Sequence, residues 1–116
     1  MNDFFNQFKA NKIEFMNGEN VKRGSVKELA TANDEPLNAF TVKDYAFLNG
    51  ENGVYAVFCL NEIDNVFYFG NAQITNVLKQ IDDAGMRDEF LNGVKVYFVK
   101  GVSKKFNNEY VVMNVL

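Results

Sequence analysis

Four lysines and three aromatic side chains carry the chemistry that this chain is best equipped for. Lys100, Lys104, Lys105 and Phe106 crowd in or beside a connection over 101–108, while Tyr55, Lys95 and Tyr97 lie on segments that read as strands. Ammonium groups neutralise phosphates, and a flat π-face stacks on an unpaired base for about 1–3 kcal/mol. Cations and rings together are what gripping a single nucleic-acid strand requires. In this reading Lys95, Lys100, Lys104 and Lys105 take phosphates, and Tyr55, Tyr97 and Phe106 take bases. Lys95 and Tyr97 share one face of their strand by alternation. Tyr68 is a further candidate for the platform. Filling an aromatic core is the competing use for each tyrosine, and Phe67, Phe69 and Phe98 are assigned to that core.

Catalytic chemistry finds much less to work with. The chain has no histidine, which removes Ser-His-Asp and Cys-His nucleophiles and the common zinc sites together. Its one cysteine, Cys59, sits in the apolar run 54–60 with no base or cation beside it in sequence, so it reads as a buried, inert thiol. Carboxylate-only hydrolysis and magnesium chemistry have no motif here, and no glycine-rich loop is shaped to cradle phosphates. No catalytic residue, cofactor or metal is expected, and the protein is read as a non-enzyme.

Charge is distributed unevenly. The net charge of -3 disfavours a nonspecific polyanion binder. Residues 1–27, however, carry five basic side chains against three acidic ones, and 93–116 carry four against one. The intervening 28–92 holds eleven acids and three bases. If the basic ends meet in space, they form a positive groove on an acidic body; otherwise these lysines are an ordinary solvated surface.

The elements that must position these groups follow from pattern. At 116 residues, 47% hydrophobic with twelve phenylalanines, the chain suits one domain with one core. Four of the eight glycines follow asparagine, at 17–18, 49–50, 52–53 and 92–93, and such pairs punctuate a β-rich chain. Residues 3–11 place Phe4, Phe5 and Phe8 on one side of a short N-terminal helix within 1–12, a face that either packs on the domain or meets a partner. Residues 12–39 are less legible: Ile13-Glu14-Phe15 resembles a strand, 25–32 a short helix capped by Ser25 with Glu28 completing the box, and Asp34-Glu35-Pro36 a turn.

From 40 onward the pattern sharpens. Strands are expected over 40–48, where alternation breaks at Asp44 and Ala46, then over 54–60 and 66–70. Ile74, Val77, Leu78 and Ile81 recur at helical spacing between an Asn71 cap and a Gly85 stop, and a shorter helix covers 86–91. Strands over 94–100 and 109–116 close the chain. Five strands with a helix between the third and fourth is the order of an OB barrel, best defined over 40–116, and such barrels commonly hold single-stranded nucleic acid.

Residues 44–81 and 94–116 together resemble the small OB-fold single-stranded-DNA-binding proteins of phages and mobile elements of low-GC Gram-positive bacteria. The matching positions are an aromatic strand ending in glycine, 67–70, the helix around 74–78, and a lysine-rich Ser-Lys loop leading to a tyrosine, 103–110. The resemblance implies single-stranded DNA as partner, phage-type DNA replication or recombination as setting, and the host cytoplasm as location. It also allows self-association and contacts with replication or recombination proteins. Housekeeping proteins of this function end in an acidic tail, whereas this chain ends in apolar residues, so tail-mediated recruitment is not expected. No stretch has the length of a membrane span, and the start lacks the order of a signal peptide. The alternative reading is a small phage-encoded interaction module, an inhibitor or assembly factor, using an acidic surface that includes Asp82, Asp83, Asp88 and Glu89.

Overall fold

Strand β2 (Phe40–Gly50) is the element around which the sheet bends. Its alternation breaks at Asp44 in the sequence, and its register with β3 (Gly53–Leu60) shifts there, between Val42 and Asp44. An extra residue at such a bulge bends and twists the strand that carries it. The first two residues of β2 therefore pair with β5 (Lys95–Val102), while the remainder pairs with β3. One strand serves both halves of a curled sheet.

The computed structural model describes residues 14–16, 18, 20–31, 38–102 and 109–116. Strand β4 (Ile63–Phe69) lies antiparallel to β3, and β6 (Glu109–Val115) antiparallel to β5. A short strand β1 (Lys22–Gly24) adds to β4 in parallel, giving the order β1-β4-β3-β2-β5-β6. The architecture is mainly β, a curled half-barrel with short helices. It has six described strands rather than the five expected. The additional one, β1, is too short to show an alternation, and its partner is remote in sequence. Gly24 permits the pairing, because a Cβ there would lie 2.5 Å from the Tyr68 ring and 2.6 Å from Val66. Glu14 and Phe15, read as strand, lie instead in one 3-10 turn (Glu14–Met16). The helix expected within 1–12 and the 34–36 turn fall outside the described residues.

Three described α-helices close the half-barrel. Helix α1 (Val26–Thr31) starts where Ser25 Oγ accepts the Lys27 N–H at 3.3 Å, and it sends Leu29 and Ala30 into the core against β5 and β6. Helix α2 (Ala72–Asp83) is capped by Asn71, whose Oδ1 accepts the Ile74 N–H at 2.9 Å. It stops at Gly85, φ 72°, where the Met86 N–H returns to the Ile81 carbonyl at 3.0 Å. Helix α3 (Arg87–Leu91) follows and buries Phe90. No described helix is long and apolar enough to cross a membrane.

The interior is a stack of aromatic rings walled by aliphatic side chains. Phe58 lies parallel to Phe98, centroids 5.9 Å apart, and stacks on Tyr68 at 5.5 Å. Ile74 and Leu78 seal one end from α2. The outer edge of β6 is satisfied by side chains of the α2 entry rather than by a strand. Asn71 Nδ2 donates to the Val111 carbonyl at 2.7 Å, Gln73 Nε2 donates to the Met113 carbonyl at 3.1 Å, and Gln73 Oε1 accepts the Met113 N–H at 2.8 Å. The Gln73 amide thus makes the two bonds that a neighbouring strand would make.

Candidate functional site

Strands β3 and β4 are apolar on both faces, and only one face can turn inward. Ala56, Phe58 and Leu60 of β3 and Tyr68 of β4 take the core. Tyr55, Val57 and Cys59, with Phe67 and Phe69 of β4, consequently share the opposite face, where the register sets Val57 beside Phe69 and Cys59 beside Phe67. Val57 and Cys59 are buried, whereas Tyr55, Phe67 and Phe69 remain partly exposed. The three rings form a continuous row. Tyr55 meets Phe69 edge to face at 5.5 Å, and Phe69 meets Phe67 the same way at 5.6 Å.

Strand β1 adds a cation to this row. Arg23 pairs with Phe67 across the ladder, and its guanidinium stands 4.4 Å from the centre of the Phe69 ring. Arg23 is exposed, and an exposed cation–π contact is worth about 0.5–1 kcal/mol, enough to bias the side chain toward the ring. A flat cation lying on a flat ring can both stack on a base and reach a phosphate.

The residues expected to act together are partly dispersed. Tyr55 belongs to the row and packs on the hairpin glycine Gly50, where a Cβ would come within 3.0 Å of its ring. Tyr97 is partly exposed on the outer face of β5, opposite Asn114 of β6, and β2 separates it from β3 in the sheet order. Tyr68 is not a platform residue, being 3% exposed and stacked on Phe58. Lys95 is held at the start of β5: its Nζ donates to Thr41 Oγ1 at 2.9 Å and stands 3.6 Å from Glu62 Oε2. Glu62 is fixed in turn by accepting the Thr41 N–H at 2.8 Å. Lys100, five residues further along the strand and so roughly 17 Å away, is exposed near the other end. Lys104, Lys105 and Phe106 lie outside the described residues.

Phe67 and Phe69, expected in the core, and Arg23 are surface groups of this face. Alternation gives the parity of a strand without saying which parity faces inward, and here both parities are aromatic. The parallel pairing of β1 with β4 leaves no local signal. Of the basic side chains toward the two ends of the sequence, Lys27 and Lys100 line one cavity of about 250 Å³.

Other titratable groups are occupied by structure. Burial pushes the Cys59 thiol up to about 11, and the nearby Asp44 carboxylate adds to the shift, so the thiolate is disfavoured. Tyr45 is buried, donates its hydroxyl to Asp82 Oδ1 at 3.0 Å, and carries the Arg87 guanidinium 4.2 Å above its ring. Arg87 also pairs with Asp44, tying the α2–α3 end to β2. Asp82 therefore has a structural partner, although it is exposed, as are Asp83, Asp88 and Glu89. Among the described residues no group of three or more carboxylate or thiol side chains is arranged to hold a metal ion.

Compared with protein-family models, with curated proteins and with solved structures, the chain finds no match in any of the three.

Proposed function

We propose that this protein is a non-enzymatic single-stranded-DNA-binding protein that holds the strand on the outer face of β3 and β4. The observation that carries the reading is the row Tyr55, Phe69 and Phe67 with Arg23 laid over Phe69. Three partly exposed rings in contact, with a planar cation on the middle one, suit successive unpaired bases and the phosphates between them. Duplex DNA, whose bases are stacked inside, offers no such faces.

The fold is read as OB-like. With β1 set aside, the order β4-β3-β2-β5-β6, with α2 between β4 and β5, is that of a five-stranded OB barrel opened between its third and fifth strands. The second and third strands of that barrel correspond to β3 and β4, and oligonucleotides commonly lie across this face, flanked by the first hairpin and the last. Tyr55 stands beside the first hairpin, and Lys100 lies near the end of β5 that leads into the last. The resemblance to phage and mobile-element proteins supports a proposed role in phage-type replication or recombination in the host cytoplasm.

Anisotropy of a labelled oligo-dT, titrated at low and moderate salt with a duplex of equal length as control, tests the reading. Binding to the single strand that weakens with salt and is poor for duplex is expected, at modest affinity given the net charge of -3. Absence of binding even at low salt would shift the reading to a protein-interaction module presenting Asp83, Asp88 and Glu89.

A further inference from the structure

Depressions border the outer row of rings at Phe69 and at Tyr55. Beyond Phe69 lies a depression of about 360 Å³ that also involves Arg23 and Val26. Val26 is shared with the cavity of about 250 Å³ whose other walls are Lys27, Asn71, Lys100, Tyr110 and Val111. Asn71 in turn borders the depression beneath the 50–53 hairpin, which Tyr55 lines. Val26 and Asn71 thus each stand between this cavity and a depression that one ring of the row lines, Phe69 on one side and Tyr55 on the other.

Tyr110 gives this cavity its character. It faces Gly101 across the β5–β6 ladder, and a Cβ on Gly101 would lie 2.7 Å from the tyrosine Cζ. Glycine thus lets the ring lie against the strand backbone, and the ring is still 43% exposed. The opposite walls, Val26 and Val111, are apolar. Asn71 is fixed between the Ile74 N–H and the Val111 carbonyl, so that wall is rigid. At about 250 Å³ the cavity is below the ~300–1,000 Å³ usual for a drug-sized ligand. Apolar walls, one ring and the exposed ammonium of Lys100 at the rim suit a single flat heterocycle carrying an anionic group. A nucleotide has that chemistry.

We infer that this cavity takes one further base of the bound DNA strand, stacked on Tyr110 with an adjoining phosphate at Lys100. The inference rests on the reading given under Proposed function. It lengthens the path of the strand from the β3–β4 face around Val26 to the base of the last hairpin.

The test compares wild type, Tyr110→Leu and Phe69→Leu in binding oligo-dT of increasing length. Tyr110→Leu is expected to weaken binding of long oligonucleotides about ten-fold, as loss of one stacked base would, with the salt slope unchanged and the deficit vanishing for the shortest oligonucleotides that still bind. Wild-type affinity at every length in Tyr110→Leu, with Phe69→Leu weakened, would overturn the inference and leave the β3–β4 reading standing. Failure of wild type to bind any oligonucleotide would overturn both. Should Tyr110→Leu not fold, photocrosslinking of wild type to oligo-dT carrying 5-iododeoxyuridine decides: adducts on Tyr110 support the inference, and adducts confined to Tyr55, Phe67 and Phe69 overturn it.

Discussion

The guanidinium of Arg23 stands 4.4 Å from the centre of the Phe69 ring, on the face of the sheet turned away from the core. The contact joins the shortest strand to one of the most aromatic ones, and it converts an apolar row into one that also carries charge. A structural role alone would account for about 0.5–1 kcal/mol, so the pair separates stability from binding well.

Phe69→Leu is expected to weaken oligo-dT binding roughly ten-fold while changing stability little, because the ring is partly exposed and leucine still covers Val57. Arg23→Gln is expected to lower the salt slope of binding by about one. Fluorescence anisotropy at several salt concentrations, alongside urea unfolding, separates the two effects.

The lysines are expected to divide into two groups. Lys95 is engaged by Thr41 and Glu62, so Lys95→Gln should leave DNA affinity and its salt slope close to wild type and cost about 0–1 kcal/mol of stability. Lys100→Gln and the double variant Lys104→Ala, Lys105→Ala should each weaken binding and flatten its salt dependence. Salt-dependent titrations of the three variants check this division.

Much of the framework was legible because its signals are local. The course of β3, the Asn71 cap, the Gly85 stop and the break in alternation at Asp44 all follow from nearest-neighbour pattern and turn chemistry. The candidate site was less legible because it depends on what pairs with what. Tyr68 and Phe69 are adjacent aromatics of opposite parity, and only the packing of Tyr68 on Phe58 decides which of them meets solvent. Glu62, which pairs with Lys95, comes from the β3–β4 turn and leaves no local signal beside Lys95 in sequence. Arg23 joined the site only through a parallel pairing distant in sequence.

Gln73 offers a prediction about the fold itself. Its amide makes both hydrogen bonds to Met113 at the edge of β6, so Gln73→Ala should destabilise the protein by about 1–3 kcal/mol through unpaired backbone groups. Gln73→Glu keeps the acceptor but loses the donor and sets a carboxylate against the Met113 carbonyl, and it should be no better than alanine. Urea unfolding at neutral pH reads both.

Stability should fall at alkaline pH. Burial raises the Cys59 thiol to about 11, and burial also raises Tyr45 and Tyr68, with Asp82 adding to Tyr45. Each of these groups is neutral when protonated, so the unfolded chain releases its proton first as pH rises. Their contribution is complete below the unfolded values, beginning at about 9 for the thiol, and the thiol's share is lost as pH climbs through about 11. Cys59→Ala should cost about 1 kcal/mol at neutral pH and show a shallower alkaline decline in urea midpoints.

The most direct measurement is amide chemical-shift mapping of the labelled protein during titration with oligo-dT. Perturbations are expected to concentrate on Arg23, Tyr55, Phe67 and Phe69 and to extend to Lys100 and Tyr110, with Asp83, Asp88 and Glu89 unaffected. Shifts absent throughout, or centred on those acidic residues with the β3–β4 face silent, would contradict the proposed binding face.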